Sequence, residues 1–388
     1  MKLFQKIIKK NKIYKNILKY KNLILLLLIS LIILLTYNYY DIIIAKFTKK
    51  SLINNITDKN HKDYYKYGNG LRNLVDENNN ICNVILINYP FTEQKKYDRY
   101  LEAKSRGVKF IGCSSYINFP CITQNKYDIT KNKNNPSWKY NYFDLCFGWF
   151  HCFRNPDTCI PKNFPKALIS ESDFSRYEGY KYNPNAKKEY DFIYICLKDG
   201  EGTNIKISDK DKNKCEDGWQ SENRNWELGK KCIKIMCEKY NMKGLLIGRE
   251  NCELPSKCHT LMDTTGFLKY NEFIKQYEKC RFIFVPNILD ASPRVLTEAL
   301  CFNLPCLVNY NILGGWKYVN DKTGMFFNDE NDFDKVLTEF RSKLDTYSPR
   351  DYFINNHGSK YEGKKIIEFI KKHVPNYKKE INLDLDKI

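Results

Sequence analysis

Residue patterns that bind metal are scarce in this sequence. Its 388 residues include only five histidines, and no two of its 15 cysteines form a C-x2-C pair. Structural zinc sites are usually built from such pairs and from histidines close to them. The sequence therefore predicts neither a structural zinc site nor a metal cofactor.

Glycine and proline are also few, with 18 and 13 residues, which excludes a collagen-like chain and a proline-rich linker architecture. No internal repeat or heptad pattern is visible. Apolar residues make up 43% of the chain and aromatic residues 15%, enough for a large core. At roughly 100–200 residues per domain, the length predicts two domains, or one large domain with additions.

Acidic residues are absent from 1–21, a segment that holds eight lysines of a chain whose net charge is +19. The uncharged run 22–40 follows it. A helix of this length rises about 28 Å, close to the roughly 30 Å thickness of the hydrocarbon layer. A buried core helix would be amphipathic, and a cleaved signal peptide would have small residues after its apolar run, where this chain has Thr36 and three tyrosines.

We therefore predict a basic cytosolic tail (1–21) and a transmembrane signal anchor (22–40). By the positive-inside rule, residues 41–388 then lie in the lumen of the Golgi or the endoplasmic reticulum. Residues 41–80 are polar and lack a sustained period, which is typical of a stem. The membrane is thus one predicted partner. The charge beyond the tail is dispersed and carries no recognition motif, so nucleic-acid binding is not expected.

The cysteines agree with this topology because none precedes Cys82. Disulfides form in oxidising compartments, and the odd number of cysteines predicts at least one free or intermolecular thiol. The alternative is a set of buried thiols in a cytosolic protein. Three pairs are close enough in sequence to be plausible disulfides: Cys113/Cys121, Cys152/Cys159 and Cys252/Cys258.

Short apolar strands alternate with helical segments from residue 82 to residue 308. This alternation predicts an α/β fold with parallel sheets and right-handed crossovers. We expect two Rossmann-like domains, 81–185 and 186–345, followed by a C-terminal helix and tail, 346–388. The predicted strands are 82–88, 108–112, 190–197, 243–248, 281–286 and 305–308, with a short strand near 265–267; the predicted helices are 93–106, 226–240, 271–280, 293–302 and 363–373.

A loop and a helix after the predicted strand 281–286 carry the candidate chemistry. Ligands of open α/β sheets lie beyond the carboxyl ends of strands. A helix start there binds anions through its free N–H groups and its dipole. Arg294 in the first turn opposes that dipole, so a bound diphosphate explains it better. Glu298 lies on the same face and Asp290 in the preceding loop with Ser292, although Arg294 and Glu298 could also be an ordinary ion pair on a solvated helix.

These residues resemble the donor-binding half of GT-B glycosyltransferases. Asp290-x7-Glu298 is similar to the E-x7-E motif of the family 4 enzymes, and Ala299–Pro305 to its E-A-x-x-x-G-x-P continuation, with Asn303 in place of the usual glycine. The run Ala291–Val295 also resembles the S-P-R stretch of exostosin-like transferases. Further elements recur in order at Gly266 with Phe267, at Gly314 with Gly315, and at 323–327.

The resemblance implies that Glu298 binds the ribose of a nucleotide sugar, Asp290 contacts sugar hydroxyls, and Arg294 faces the diphosphate. It also implies that 81–185 is the acceptor side and 186–345 the nucleotide-sugar side. The family's Arg-x4-Lys clamp is not seen after the first strand of the second domain. The candidates for its role are Lys198, Arg224 and Arg249.

The sequence thus predicts a membrane-anchored glycosyltransferase that uses a nucleoside-diphosphate sugar and a glycan, protein or lipid acceptor. An inverting enzyme would need a base, and His151 is the candidate, although a lone histidine is more often structural. Retaining and inverting chemistry both remain open. The alternative is an inactive GT-B-like sugar-binding or structural module. A metal-dependent GT-A enzyme would need D-x-D after an apolar strand, and the two occurrences, at 209–211 and 384–386, stand in charged segments.

Overall fold

Two sheets organise the chain in this computed structural model, which describes residues 70–377 except 77, 79–80, 92, 116–118, 122–139, 200–214 and 217. The strands in the described ranges are β1 (Leu71–Val75), β2 (Ile81–Ile87), β3 (Lys109–Cys113), β4 (Trp149–Phe150), β5 (Lys166–Ala167), β6 (Tyr190–Ile195), β7 (Gly244–Ile247), β8 (Met262–Thr265), β9 (Cys280–Val285), β10 (Cys306–Asn309) and β11 (Gly324–Phe327).

Helices connect most of these strands. The described α-helices are α1 (Gln94–Ser105), α2 (Tyr142–Leu145), α3 (Trp219–Arg224), α4 (Trp226–Glu238), α5 (Tyr270–Glu278), α6 (Arg294–Cys301), α7 (Glu330–Ser342), α8 (Pro349–Asn356) and α9 (Ser359–His373). Short 3₁₀ turns occur at Pro156–Thr158, Glu171–Phe174, Tyr177–Gly179, Ser256–Thr260, Trp316–Tyr318 and Leu344–Thr346.

The five-stranded sheet has the order β1-β2-β3-β4-β5, and only its edge strand β1 is antiparallel. The six-stranded sheet has the order β11-β10-β9-β6-β7-β8 and is parallel throughout. The predicted α/β fold with parallel sheets is therefore confirmed. β1 lies inside the segment predicted as a stem. The prediction missed this strand because a five-residue edge strand with polar Arg72 and Asn73 shows little alternation of apolar and polar residues.

The six-stranded sheet is covered on both faces, which explains why its strands are continuously apolar. Along β6, Phe192 and Tyr194 join a core with α4 and α7, whereas Ile193 and Ile195 join a core with α5, α6 and α8. In the five-stranded sheet, Phe150 packs against Phe369 of α9. The C-terminal helix predicted at 363–373 begins earlier, at Ser359, and its residues Phe369 and Ile370 complete the core of the first sheet.

The predicted membrane anchor, 22–40, and the tail before it lie outside the described residues. Within the described ranges, no helix combines the length and the apolar character that crossing a bilayer requires.

The predicted disulfide pairs are wrong. The structure pairs Cys121 with Cys159, and Cys215 with Cys252. Cys258 instead turns inward on a 3₁₀ turn, where its thiol contacts the carbonyl of Ile233. Proximity in sequence misled the prediction, because each observed bridge closes a loop of more than 35 residues.

A fully buried carboxylate joins the two sheets. Asp173 follows the first sheet and accepts hydrogen bonds from Lys317 at 2.6 Å and Tyr318 at 2.6 Å, both from the second half of the chain. His357 lies 3.4 Å from it. Burial acts to raise the pKa of Asp173, but the hydrogen bond from His357 and the charge of Lys317 outweigh it and hold the pKa at about 2.

This cluster also contains Glu362, so that Asp173, His357 and Glu362 bring three metal-type ligand atoms within 4.8 Å of one another. Lys365 donates to Glu362 at 2.8 Å, and Lys317 donates to Asp173. The two carboxylates are therefore balanced by two lysines of the chain itself.

We predict that Asp173→Asn lowers the free energy of unfolding by about 3–5 kcal/mol, because it leaves the largely buried ammonium of Lys317 without its counter-charge. Urea unfolding followed by tryptophan fluorescence measures this change. The matched control is Asp157→Asn, which removes an exposed carboxylate from its ion pair with Lys166 and is expected to have a much smaller effect. Equal midpoints for the two variants would contradict the prediction.

Candidate functional site

The crossover pattern of the six-stranded sheet defines where a ligand would bind. The chain leaves β6 toward β7 and β8, and later returns to build β9, β10 and β11 on the other side of β6. In doubly wound sheets the ligand crevice lies at this switch point, beyond the carboxyl ends of the strands. The loops after β6 and β9 flank it. The second of these, 286–293, is the loop that the sequence singled out.

Asp290 is fixed in that loop by several donors. Its carboxylate forms an ion pair with Arg224 and accepts hydrogen bonds from the Asn287 side chain at 3.3 Å and from the Ser292 backbone N–H at 3.2 Å. The structure thus brings together Asp290, Arg224 and Ser292, three residues that the sequence proposed for one site. Arg224 reaches Asp290 from α3, 66 positions earlier in the sequence.

The turn at Gly314 and Gly315 packs closely against this loop. The Gly314 N–H donates to the Asp290 carbonyl at 2.9 Å. A Cβ at position 314 would lie 2.0 Å from the Ala291 carbonyl oxygen, and Gly315 has φ +81° beside Pro293. Both positions therefore require glycine, and the turn that the sequence identified borders the loop carrying Asp290.

Helix α6 begins at this loop. Arg294, its first residue, is exposed, and the first turn contains no acidic residue. Ser292 accepts a hydrogen bond from the Ser172 N–H at 2.8 Å and keeps its hydroxyl hydrogen for a further bond. Asn303 ends the helix with φ 58°, the left-handed conformation that usually selects glycine. Asparagine tolerates this conformation, which explains the departure from the motif.

Glu298 is not half of a solvated ion pair. It is 7% exposed, and its carboxylate lies 3.3 Å from the Tyr277 hydroxyl and 3.5 Å from the Tyr270 hydroxyl. Burial raises the pKa of Glu298 to about 7, against the opposing effects of Arg294 and the two tyrosines. A carboxyl group enclosed by hydroxyls at the switch point is suited to exchange hydrogen bonds with a ligand.

The candidates for a diphosphate clamp have different surroundings. Arg249 is completely buried. Its guanidinium donates to the Cys215 carbonyl and to Ser221 at 2.8 Å, and it stacks on Trp226 at 4.9 Å. It therefore holds the segment of the Cys215–Cys252 bridge. Lys198 donates to the Glu250 carbonyl at 3.1 Å.

The remaining donor-side candidates lie on the loop after β8. A Cβ on Gly266 would lie 3.0 Å from the Glu250 carboxylate. Phe267 is 54% exposed. This loop leads into α5, the helix that supplies Tyr270 and Tyr277 to Glu298.

His151 follows β4, and its neighbour Cys152 lies against the glycine turn, where a Cβ on Gly314 would be 3.0 Å from the Cys152 Cβ. The Cys152 carbonyl accepts a hydrogen bond from the Trp316 indole at 2.7 Å. Burial, followed by the charges of Lys317 and Lys166, lowers the pKa of His151 to about 4, so the imidazole is neutral at pH 7. Its Nδ1 is buried and has no hydrogen-bond partner among the described residues. The structure thus places the residue that follows His151 at the turn that borders the Asp290 loop.

Sequence reasoning missed Ser172, Asn287 and Tyr277. Ser172 gives no local signal because its partner Ser292 lies 120 positions further along the chain. Tyr277 does give one, since it follows Tyr270 by two helical turns and so shares its face.

Searches of protein-family models and of curated proteins find no match. Solved structures do match. The pneumococcal O-GlcNAc transferase GtfA, in complex with UDP and GlcNAc, has a TM-score of 0.50 at 10% identity, over 76% of this chain and 57% of that one.

An S. aureus TarM variant with UDP has a TM-score of 0.47 at 11% identity, over 70% of this chain and 54% of that one. A glycosyltransferase from Rickettsia africae has a TM-score of 0.47 at 12% identity, over 76% of this chain and 77% of that one. The chain thus spans little more than half the length of GtfA and TarM. The likeness to GtfA is one of fold: the chain shares the α/β fold of a glycosyltransferase, in agreement with the GT-B-like fold predicted from the sequence.

We predict that Glu298→Gln stabilises the protein at pH 8 and not near pH 4.5. The carboxyl group ionises near pH 4.5 in the unfolded chain and near pH 7 in the folded one, so the wild type loses unfolding free energy as the pH rises between these values. At pH 8 this loss of unfolding free energy, which Glu298→Gln removes, is about 3 kcal/mol. Urea unfolding of both proteins across this pH range measures it.

The control is Glu330→Gln, because a hydrogen bond from Lys231 lowers the pKa of Glu330 and predicts the opposite trend. A pH-independent difference between wild type and Glu298→Gln would refute the assignment.

Proposed function

We propose that this protein is a glycosyltransferase that moves a sugar from a nucleoside-diphosphate sugar to a glycan, protein or lipid acceptor. The observation that carries the proposal is the pairing of exposed Arg294 with buried Glu298 on one helix at the switch point of a glycosyltransferase-like fold. An exposed cation at a helix start suits a diphosphate, and an enclosed carboxyl group suits the ribose hydroxyls.

The chemistry follows from the charges that develop during transfer. The departing nucleoside diphosphate gains negative charge, while the sugar gains oxocarbenium character. The leaving group would be stabilised by Arg294, by the Ser292 hydroxyl and by the N–H groups of the first turn of α6. Because the fold already orients these donors, they would not need to move during the reaction. The neutral imidazole of His151 would accept the acceptor's proton in an inverting reaction.

A second candidate is a module that binds sugar nucleotides without transferring the sugar. The ion pair between Asp290 and Arg224 favours it, because a carboxylate already paired with an arginine is a weak base or nucleophile. Binding of a sugar nucleotide without release of the nucleoside diphosphate, in the presence of a range of acceptors, would distinguish this module from the enzyme.

We predict that Arg294→Ala weakens binding of UDP roughly 10-fold and Glu298→Ala roughly 10- to 100-fold, since each removes a hydrogen bond or ion pair to a charged group. Isothermal titration of purified protein measures this, after a screen of common sugar nucleotides has identified the base. The control is Arg281→Ala. Arg281 is exposed and lies near the start of β9, at the end of the strands opposite to the candidate site. Unchanged affinity in both site variants, or no binding by the wild type, would refute the proposal.

We also propose that residues 22–40 anchor the protein in the membrane with residues 41–388 in the Golgi or endoplasmic reticulum lumen. The support is the basic tail, the uncharged run of 19 residues and the two disulfides. In microsomes, residues 41–388 are expected to survive added protease until detergent is supplied. Digestion in intact microsomes would refute this topology.

A further inference from the structure

Two buried thiols lie against each other in the core that covers one face of the six-stranded sheet. Cys237 stands on the last turn of α4, and Cys258 stands on the 3₁₀ turn Ser256–Thr260, 21 positions later in the sequence. Both side chains are completely buried and belong to the same hydrophobic cluster. Neither cysteine takes part in the two disulfides of the described residues. The pair is therefore a dithiol in the interior of the protein.

Hydrogen bonds connect the two thiols to each other and to α4. The Cys258 thiol donates to the Ile233 carbonyl at 3.7 Å. In an α-helix that carbonyl also accepts the N–H of residue 237, so Cys258 reaches α4 at the turn that carries Cys237. A hydrogen bond between the thiols is the largest influence on both, and it raises the pKa of Cys237 while it lowers the pKa of Cys258. Cys237 is therefore the donor, and the Cys258 sulfur accepts.

A second contact joins the same two segments of the backbone. The ammonium of Lys257, which precedes Cys258, donates to the carbonyl of Glu238, which follows Cys237, at 2.9 Å. Both cysteines are thus flanked by residues that hold the end of α4 and the 3₁₀ turn together. The proximity of the two sulfurs follows from the packing of these segments.

We infer that Cys237 and Cys258 form a third disulfide when the chain meets a small-molecule disulfide such as oxidised glutathione. The Cys258 thiolate attacks one sulfur of the oxidant and releases one thiolate, and Cys237 then attacks Cys258 Sγ in the mixed disulfide and releases the other. The two cysteines lose two electrons and two protons. The oxidant takes up both electrons and both protons and becomes two thiols.

This pairing differs from the Cys252/Cys258 pair that the sequence suggested, because Cys252 is already bound to Cys215. It would tie the segment between β7 and β8 to the α3–α4 region at a second point, six positions after Cys252. Since both sulfurs are completely buried, the oxidant reaches them in the folding chain or during local opening of the folded one. The inference is independent of the proposed function.

Tryptic mapping without reduction tests the inference on the wild-type chain. Trypsin places the four relevant cysteines in separate peptides: Cys237 in 235–239, Cys258 in 258–269, Cys252 in 250–257 and Cys215 in 215–224. The purified full chain is held in glutathione buffers of increasing oxidised fraction with sub-denaturing urea, quenched with acid and alkylated in denaturant. We expect 235–239 to be cross-linked to 258–269 in the buffers that fully cross-link 215–224 to 250–257.

Cys232 is the matched control, because it is equally buried on the same helix and is expected to stay alkylated, in peptide 232–234. Cys232→Ala is expected to keep the new cross-link, whereas Cys237→Ala leaves Cys258 as a single alkylated thiol. Alkylation of both Cys237 and Cys258 in buffers that complete the established bridge overturns the inference. A cross-link from 258–269 to any other peptide also overturns it. The wild-type map decides the question even if Cys237→Ala does not fold.

Discussion

The burial of the Asp173 carboxylate is the constraint on which the arrangement of this chain depends. An ionised carboxylate removed from water is stable only if donors surround it, and those donors come from three separate segments. The Ser170 N–H comes from its own turn, Lys317 and Tyr318 from the turn after β10, and His357 from the junction of α8 and α9. Satisfying one charge therefore fixes three segments that are distant in sequence.

The candidate site inherits its geometry from that network. The turn that supplies Lys317 and Tyr318 continues directly from Gly314 and Gly315, which pack on the loop before α6. Ser172, next to Asp173, bonds to Ser292 at the start of the same helix. The loop carrying Asp290 is thus held by the segment that joins the two sheets. One set of polar contacts therefore positions both this loop and the glycine turn beside it.

The sequence predicted what depends on local patterns. Apolar runs marked β6, β7, β9 and β10 to within two residues, and the order of elements after residue 190 identified the loop at Asp290. The prediction failed where contacts between residues distant in sequence determine the structure. The two-residue strands β4 and β5 exist only because neighbouring strands pair with them, and the partners of Asp173 lie more than 140 positions away. The cysteine pairs failed for the same reason.

Three arginines illustrate why residue type alone could not assign the site. The sequence makes Arg249, Arg224 and Arg294 all candidates for a phosphate, yet each guanidinium has a different electrostatic environment. Arg249 is enclosed and donates to internal acceptors, Arg224 is neutralised by Asp290, and Arg294 keeps an exposed charge at a helix start. An anion gains most from an exposed guanidinium at a helix start, where the free N–H groups and the dipole also favour negative charge. The electrostatic environment, more than the residue type, therefore distinguishes Arg294 from the other two arginines.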